Sequence, residues 1–131
     1  MPDIDAGAAT KTIMIIDDSA SIRQVVNLTL RKVGYDVIEA CDGEDAISKL
    51  RGQKINLIVC DVNMPKMDGI TFLKNLKAMP GYKFTPVIML TTESQESKKQ
   101  EGKMAGAKAW VVKPFKPEQM LEAVSKLILQ N

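Results

Sequence analysis

Two hexapeptides in this chain, Thr12-Ile-Met-Ile-Ile-Asp17 and Asn56-Leu-Ile-Val-Cys-Asp61, share one pattern: a short apolar, largely β-branched run that ends in an acid. A run of this length with no polar alternation fits a strand covered on both faces, as in a parallel sheet flanked by helices. What lies between and after them alternates accordingly. From Ser19 the apolar residues Ile22, Val25, Val26, Leu28, Leu30 and Val33 fall largely at helical spacing, and Gly34 supplies the stop. Tyr35 to Ala40 reads as a second strand, and Gly43 to Leu50, with Ala46, Ile47 and Leu50 on one side, as a second helix. A Pro-containing loop, Val62 to Met67, precedes a helix opening at Asp68 or Gly69, whose apolar face is Ile70, Phe72, Leu73, Leu76 and Met79. Pro80 and Gly81 break that helix, and Tyr82 to Thr85 link onward. Pro86 to Thr91 is the fourth strand and Lys108 to Val112 the fifth. The last helix opens at Pro117, a residue suited to a first turn, and carries Met120, Leu121, Val124, Leu127 and Ile128.

Five strands alternating with five helices through short connections predict an α/β fold, a doubly wound parallel sheet with right-handed crossovers. The 131 residues suit one domain, and a 45% hydrophobic content suffices for its core. Residues 1–11 lack any apolar period and read as a loose leader, leaving 12–131 as the domain. The segment Ser94 to Ala107 departs from the pattern, having no apolar residue between Thr92 and Met104. Gly102 there costs about 1 kcal/mol relative to Ala in a helix interior, and Lys98, Lys99 and Lys103 repel one another at spacings of four or five. A helix with little burial and easy local opening is expected.

Charge and composition narrow the function. Eighteen Lys and Arg against sixteen Asp and Glu give +2, without the basic excess of a duplex-DNA binder, so nucleic acid is not an expected partner. There is no His, which removes Ser-His-Asp and Cys-His catalysis, His-ligated zinc and a phosphohistidine on this chain. Cys41 and Cys60 are too few for a disulfide scaffold or a four-cysteine metal site, and both read as buried free thiols. No stretch resembles a secretory signal or a membrane span, so a reduced, cytoplasmic location is expected and no membrane partner.

Open parallel sheets place their sites at the carboxyl ends of the strands. Those ends carry Asp17 and Asp18 after strand one, Asp61 after strand three, Thr91 after strand four and Lys113 after strand five. Two carboxylates ~4 Å apart repel by roughly 4 kcal/mol at an effective dielectric of 20. Lys113 offers one positive charge against three negative ones, and a hard divalent cation closes the deficit. Magnesium suits carboxylates combined with a phosphoryl oxygen, with Asp18 and Asp61 as direct ligands and Asp17 acting through a water. Each residue alone has an innocent role: Asp17 and Asp18 as helix caps, Asp61 as holder of the next turn, Lys113 as surface charge. Complementary groups at one sheet edge are not explained by those separate roles.

Four motifs, Ile15-Ile16-Asp17-Asp18-Ser19, the decapeptide Cys60 to Gly69, Leu90-Thr91-Thr92-Glu93 and Lys113-Pro114-Phe115, resemble the receiver domains of two-component response regulators. The resemblance runs from Thr12 to Leu129 and is strongest to the single-domain chemotaxis regulators of the CheY type. It implies a flavodoxin-like sheet of order 2-1-3-4-5, in which strand one separates Cys41 from Cys60. Two strand spacings of ~4.8 Å then exceed the ~7 Å limit for a disulfide. It also implies that Asp61 accepts a phosphoryl group from a histidine kinase, with Asp17, Asp18 and the carbonyl of Asn63 organising Mg2+. Lys113 would neutralise phosphoryl oxygens, Asn63 and Glu93 would tune the lifetime of the mark, and Lys113-Pro114 would be cis. Thr91 takes the place of the hydroxyl that bonds the phosphoryl group, and Trp110 that of the switch aromatic, usually Tyr or Phe. One charge-assisted hydrogen bond supplies ~1.5 to 3 kcal/mol, whereas a shift from 1:99 to 99:1 needs about 5.5 kcal/mol. Thr91 alone therefore cannot complete a switch.

The expected function is a stand-alone, monomeric phospho-switch in chemotaxis signalling at the flagellar motor. Its output face would be built from helix 94–107, strand 108–112 and helix 117–130, with the motor switch as target and a phosphatase as a further partner. The alternative is a relay intermediate passing phosphate to a histidine phosphotransfer protein. A phosphohydrolase of haloacid-dehalogenase type needs a second acid two residues after its nucleophile, where this chain has Asn63. A flavodoxin-like cofactor site needs a phosphate cradle after strand one, where this chain has Asp18-Ser-Ala-Ser.

Overall fold

The structure is a computed structural model that describes residues 10–92 and 96–128. In chain order its elements are β1 (Thr12–Ile16), α1 (Ala20–Lys32), β2 (Asp36–Ala40), α2 (Gly43–Leu50), β3 (Leu57–Asp61), α3 (Gly69–Lys77), a 3-10 turn (Pro80–Tyr82), β4 (Val87–Thr91), α4 (Glu96–Ala105), β5 (Ala109–Val112) and α5 (Pro117–Leu127). The strands form one parallel sheet in the order β2-β1-β3-β4-β5, so the expected doubly wound topology holds. The leader's residues 1–9, Ser94 at the start of the expected fourth helix, and Glu93 lie outside the described residues.

The unbroken apolar runs follow from this topology, because each strand feeds two cores at once. Met14 and Ile16 of β1, Ile58 and Cys60 of β3, and Val87 and Met89 of β4 face one layer, where Ala46, Leu50, Phe72, Leu73 and Leu76 of α2 and α3 cover them. Their neighbours Ile13, Ile15, Leu57, Val59, Ile88 and Leu90 face the other, under Val26 and Leu30 of α1 and Met120 and Val124 of α5. Burying each such aliphatic side chain contributes about 1.5 to 3 kcal/mol. A polar residue in either parity of a central strand would open one of the two cores.

Helix α1 uses a narrower face than its sequence suggests. Val26 and Leu30 are buried, whereas Val25, Leu28 and Val33 are 47%, 60% and 55% exposed. The apolar set spans more of the helix circumference than one contact face can cover. Gly34, at φ +99°, ends the helix with the paired bonds of a left-handed cap: its N–H donates to Arg31 O and that of Tyr35 to Leu30 O.

Other departures have local causes. Pro80–Tyr82 forms a 3-10 turn instead of a plain break, pinned because the Tyr82 hydroxyl donates to Gln53 O at 2.7 Å and lies 3.1 Å from Leu50 O. Cys60 is buried as expected, but Cys41 is exposed, because it follows the last residue of the edge strand β2. Both are free thiols, with β1 between their strands.

Gly69 opens α3 directly against the end of β3. A Cβ there would run into the carbonyl oxygen of Asp61 and lie 2.9 Å from Val62 Cα, and backbone cannot yield as a side-chain tip can. Gly69→Ala is expected to destabilise the fold by about 1 to 3 kcal/mol, the usual penalty of overpacking. Urea unfolding midpoints check this, and an unchanged midpoint would contradict the tight packing of α3 on the end of β3.

Candidate functional site

The sheet's carboxyl edge gathers the predicted residues. Asp17 follows β1, with its N–H on Ala40 O; Asp61 and Thr91 are the last residues of β3 and β4; Lys113 follows β5, with its N–H on Thr91 O. Side-chain oxygens of Asp17, Asp18 and Asp61 all lie within 4.8 Å of one another. Asp17 is fully buried and Asp61 is 5% exposed, while Asp18 is open to solvent. Lys113 Nζ donates to Asp17 Oδ2 at 2.8 Å and stands 3.3 Å from Asp61 Oδ1.

Each group is fixed by its neighbours. The second oxygen of Asp17, Oδ1, accepts the N–H of Ser19 at 2.9 Å, and Ser19 caps α1 through its own hydroxyl. Thus Ser19, rather than Asp17 or Asp18, is the helix cap, which leaves the acids for the crevice. The Arg23 guanidinium donates to Asp17 O and to Glu39 Oε1, and Asn27 donates to the other oxygen of Glu39. This brace beneath Asp17 carries no motif in the sequence, since Glu39 arrives only through the pairing of β2 with β1. The Lys113-Pro114 bond is cis.

The electrostatics follow from this geometry. Burial, and then the charge of Asp17, push the Asp61 carboxyl up to about 6, against the opposing pull of Lys113 and the backbone N–H of Asn63. Burial would lower the Lys113 ammonium, but its hydrogen bond to Asp17 and the charges of Asp17 and Asp61 outweigh it, so its pKa is raised. One ammonium among three carboxylates leaves a net negative pocket with an exposed oxygen donor on its rim. Hard oxygen donors in that number fit a magnesium ion, and Asp17, already engaged on both oxygens, is the least available of the three.

The response regulator receiver domain family matches residues 13–125. The chain belongs to that family. This receiver domain is 39% identical over 112 residues to Protein PilG of Pseudomonas aeruginosa, covering 86% of this chain and 83% of that one. It is 37% identical to the Chemotaxis protein CheY of Bacillus subtilis, covering 88% and 96%. Among solved structures, Vibrio cholerae chemotaxis protein CheY4 superposes with a TM-score of 0.86 at 46% identity, covering 91% of this chain and 99% of that chain. Other curated relatives are longer: the chain spans 48% of a probable transcriptional regulator of Porphyridium aerugineum that is 42% identical to it.

In the receiver domain Thr91 is 5% exposed, and its hydroxyl donates to Thr92 O at 3.1 Å. Asn63 is exposed in the loop after β3. Trp110, opposite Met89 in the β4-β5 pairing, packs with Ala105 and Ala107 against the core shared by α2 and α3. Its indole N–H is buried without an acceptor among the described residues, which costs about 1 to 3 kcal/mol. A groove of about 580 Å³ runs between β5 and α5, lined by Lys108, Trp110, Val112, Gln119, Glu122 and Lys126 among others. It lies outside the acidic crevice. No helix among the described residues is long and apolar enough to cross a membrane.

Proposed function

We propose that this receiver domain is a stand-alone phospho-switch whose acceptor is Asp61. The observation that carries the reading is a buried carboxylate near pKa 6, placed 3.3 Å from an ammonium and beside two further carboxylates. An Asp61 oxygen attacks the phosphorus of a partner kinase's phosphohistidine. The O–P bond forms as the N–P bond breaks, and the departing imidazole nitrogen keeps the electron pair. Asp18, Asp61 and the Asn63 carbonyl would hold a magnesium ion, with Asp17 acting through a water, and the bound ion would neutralise phosphoryl oxygens. Lys113 is already in the crevice and needs only to share its protons between Asp17 and a phosphoryl oxygen. The Thr91 hydroxyl exchanges the Thr92 carbonyl for the phosphoryl group, linking the site to β4. Hydrolysis of the acyl phosphate ends the signal, with Asn63 and Glu93 setting how water approaches. The domain thus catalyses its own modification and is not a turnover enzyme.

Similarity to the chemotaxis proteins CheY of Bacillus subtilis and CheY4 of Vibrio cholerae supports a role in chemotaxis signalling; a flagellar-motor target, a cytoplasmic location and a phosphatase as third partner complete the proposal. The groove between β5 and α5 supports the part of the output face that these two elements would form, and α4 beside β5 would extend it. The test is titration of motor-switch peptides against the protein with and without Mg2+ and beryllofluoride, a phosphoryl mimic. Tighter binding of the mimic-bound form is expected, and equal affinity of both forms overturns the output role. Transfer of phosphate from the domain to a histidine phosphotransfer protein, with no peptide binding, would replace it by a relay.

A further inference from the structure

We infer that Gly102 and Trp110 are a size-matched pair: the glycine opens a notch in α4 that seats the indole, and the seated ring fixes α4 to β5. A Cβ at Gly102 would lie 2.6 Å from Trp110 Cη2, closer still to Cζ2, and 3.6 Å from Cε2. The outer edge of the six-membered ring therefore rests on the helix backbone itself. Gly102 is the one buried residue among those described in α4, where Lys99, Gln100, Glu101, Lys103 and Met104 are all exposed. Among the described residues of α4, Ala105 also packs at the edge of the core and Glu101 stands 3.8 Å from Lys74 of α3, while Met104 is 81% exposed, so Gly102 is the central contact of the helix with β5. The glycine that helix propensity disfavours is thus explained by what it admits.

The match is specific to an indole. Phenylalanine and tyrosine lack the carbons equivalent to Cζ2 and Cη2 and would leave the notch empty, whereas an indole swung outward would leave it facing a void. The ring consequently acts as the seat of α4, and α4 and β5 shift as one body. Trp110 also lines the groove between β5 and α5, so such a shift reaches the output face directly. This last consequence rests on the phospho-switch reading; the pairing of Gly102 with Trp110 rests on packing alone.

The chain has a single Trp, so its fluorescence reports this site without labels. In the unmodified protein the emission is expected to be blue-shifted and poorly quenched by acrylamide, and to stay so when Mg2+ and beryllofluoride are added. Gly102→Ala is expected to red-shift the emission and raise the unfolding equilibrium constant roughly tenfold or more, through overpacking. In a Trp110→Phe background the sign reverses: Gly102→Ala then lowers the unfolding constant about fivefold, the helix gain of Ala over Gly. A strongly quenched Trp110 that becomes protected only with beryllofluoride would overturn the seat, as would the same effect of Gly102→Ala in both backgrounds. Beryllofluoride binding, followed separately by fluorine NMR, keeps the two readings apart. Its absence defeats the phospho-switch and leaves the double-mutant cycle to decide the pair.

Discussion

Lys113→Ala is expected to destabilise the protein by about 2 to 4 kcal/mol at pH 8 in the absence of metal, because it strips the ammonium from two buried carboxylates. Removing one partner of a fully buried pair costs ~3 to 5 kcal/mol, and the figure here is reduced because the lysine end is 19% exposed. The raised pKa of Lys113 sets the range of its contribution. A base whose folded pKa lies above its unfolded value contributes stability that is complete below ~10.4 and is lost only as pH climbs through the folded value. The ion pair therefore operates across the neutral range. Without it Asp61 loses the attraction that holds its pKa down to about 6. The variant should weaken further as pH rises from 5 to 8 and recover when Mg2+ is added. Urea unfolding at several pH values, with Mg2+ or with a chelator, measures both effects; a pH-independent loss that magnesium leaves untouched would mean Lys113 serves packing alone. Phosphoryl uptake should also fall by ~10²- to 10³-fold, as for other lost donors at a developing charge.

Asp61→Asn is expected to act in the opposite direction on stability. The folded carboxyl titrates at about 6, against ~3.9 for an unfolded Asp. Between those values the native state binds more protons than the unfolded one, so wild-type stability falls as pH rises from about 4 through 6. The amide carries no such penalty. Its gain should therefore be absent below pH ~4 and complete above ~7, on the order of 1 kcal/mol once water at the pocket rim and the lost Lys113 contact are discounted. Adding Mg2+ should narrow the difference, since the cation relieves the same repulsion. Thermal unfolding of both proteins across this pH range checks it. A gain that persists at pH 3 would place its origin in packing instead of charge.

The strand runs and the acidic strand ends were legible in the sequence because both obey short-range rules. A strand buried on two faces shows as an unbroken apolar run, and a parallel sheet aligns the carboxyl ends of its strands, which places Asp17, Asp61, Thr91 and Lys113 together without any contact being known. What stayed hidden depends on pairing between distant segments. Arg23 and Asn27 meet Glu39 only because β2 lies beside β1. Gly102 reads as a defect in α4 until β5 delivers Trp110 beneath it. The exposure of Val25 and Leu28 on α1 was hidden for a related reason, since apolar spacing marks a helix but does not say how wide a face the sheet will cover. Expecting Cys41 to be buried failed because the sequence does not show that the edge strand β2 ends one residue earlier, at Ala40.

The central claim is that the carboxylate at the end of β3 takes the phosphoryl group. Incubation with acetyl phosphate and Mg2+, followed by mass spectrometry of the intact chain and of its proteolytic peptides, tests it most directly. One phosphoryl group on the peptide containing Asp61, absent in Asp61→Asn and absent with a chelator, is the predicted result. An unmodified chain, or a phosphoryl group carried by any other residue, would contradict it.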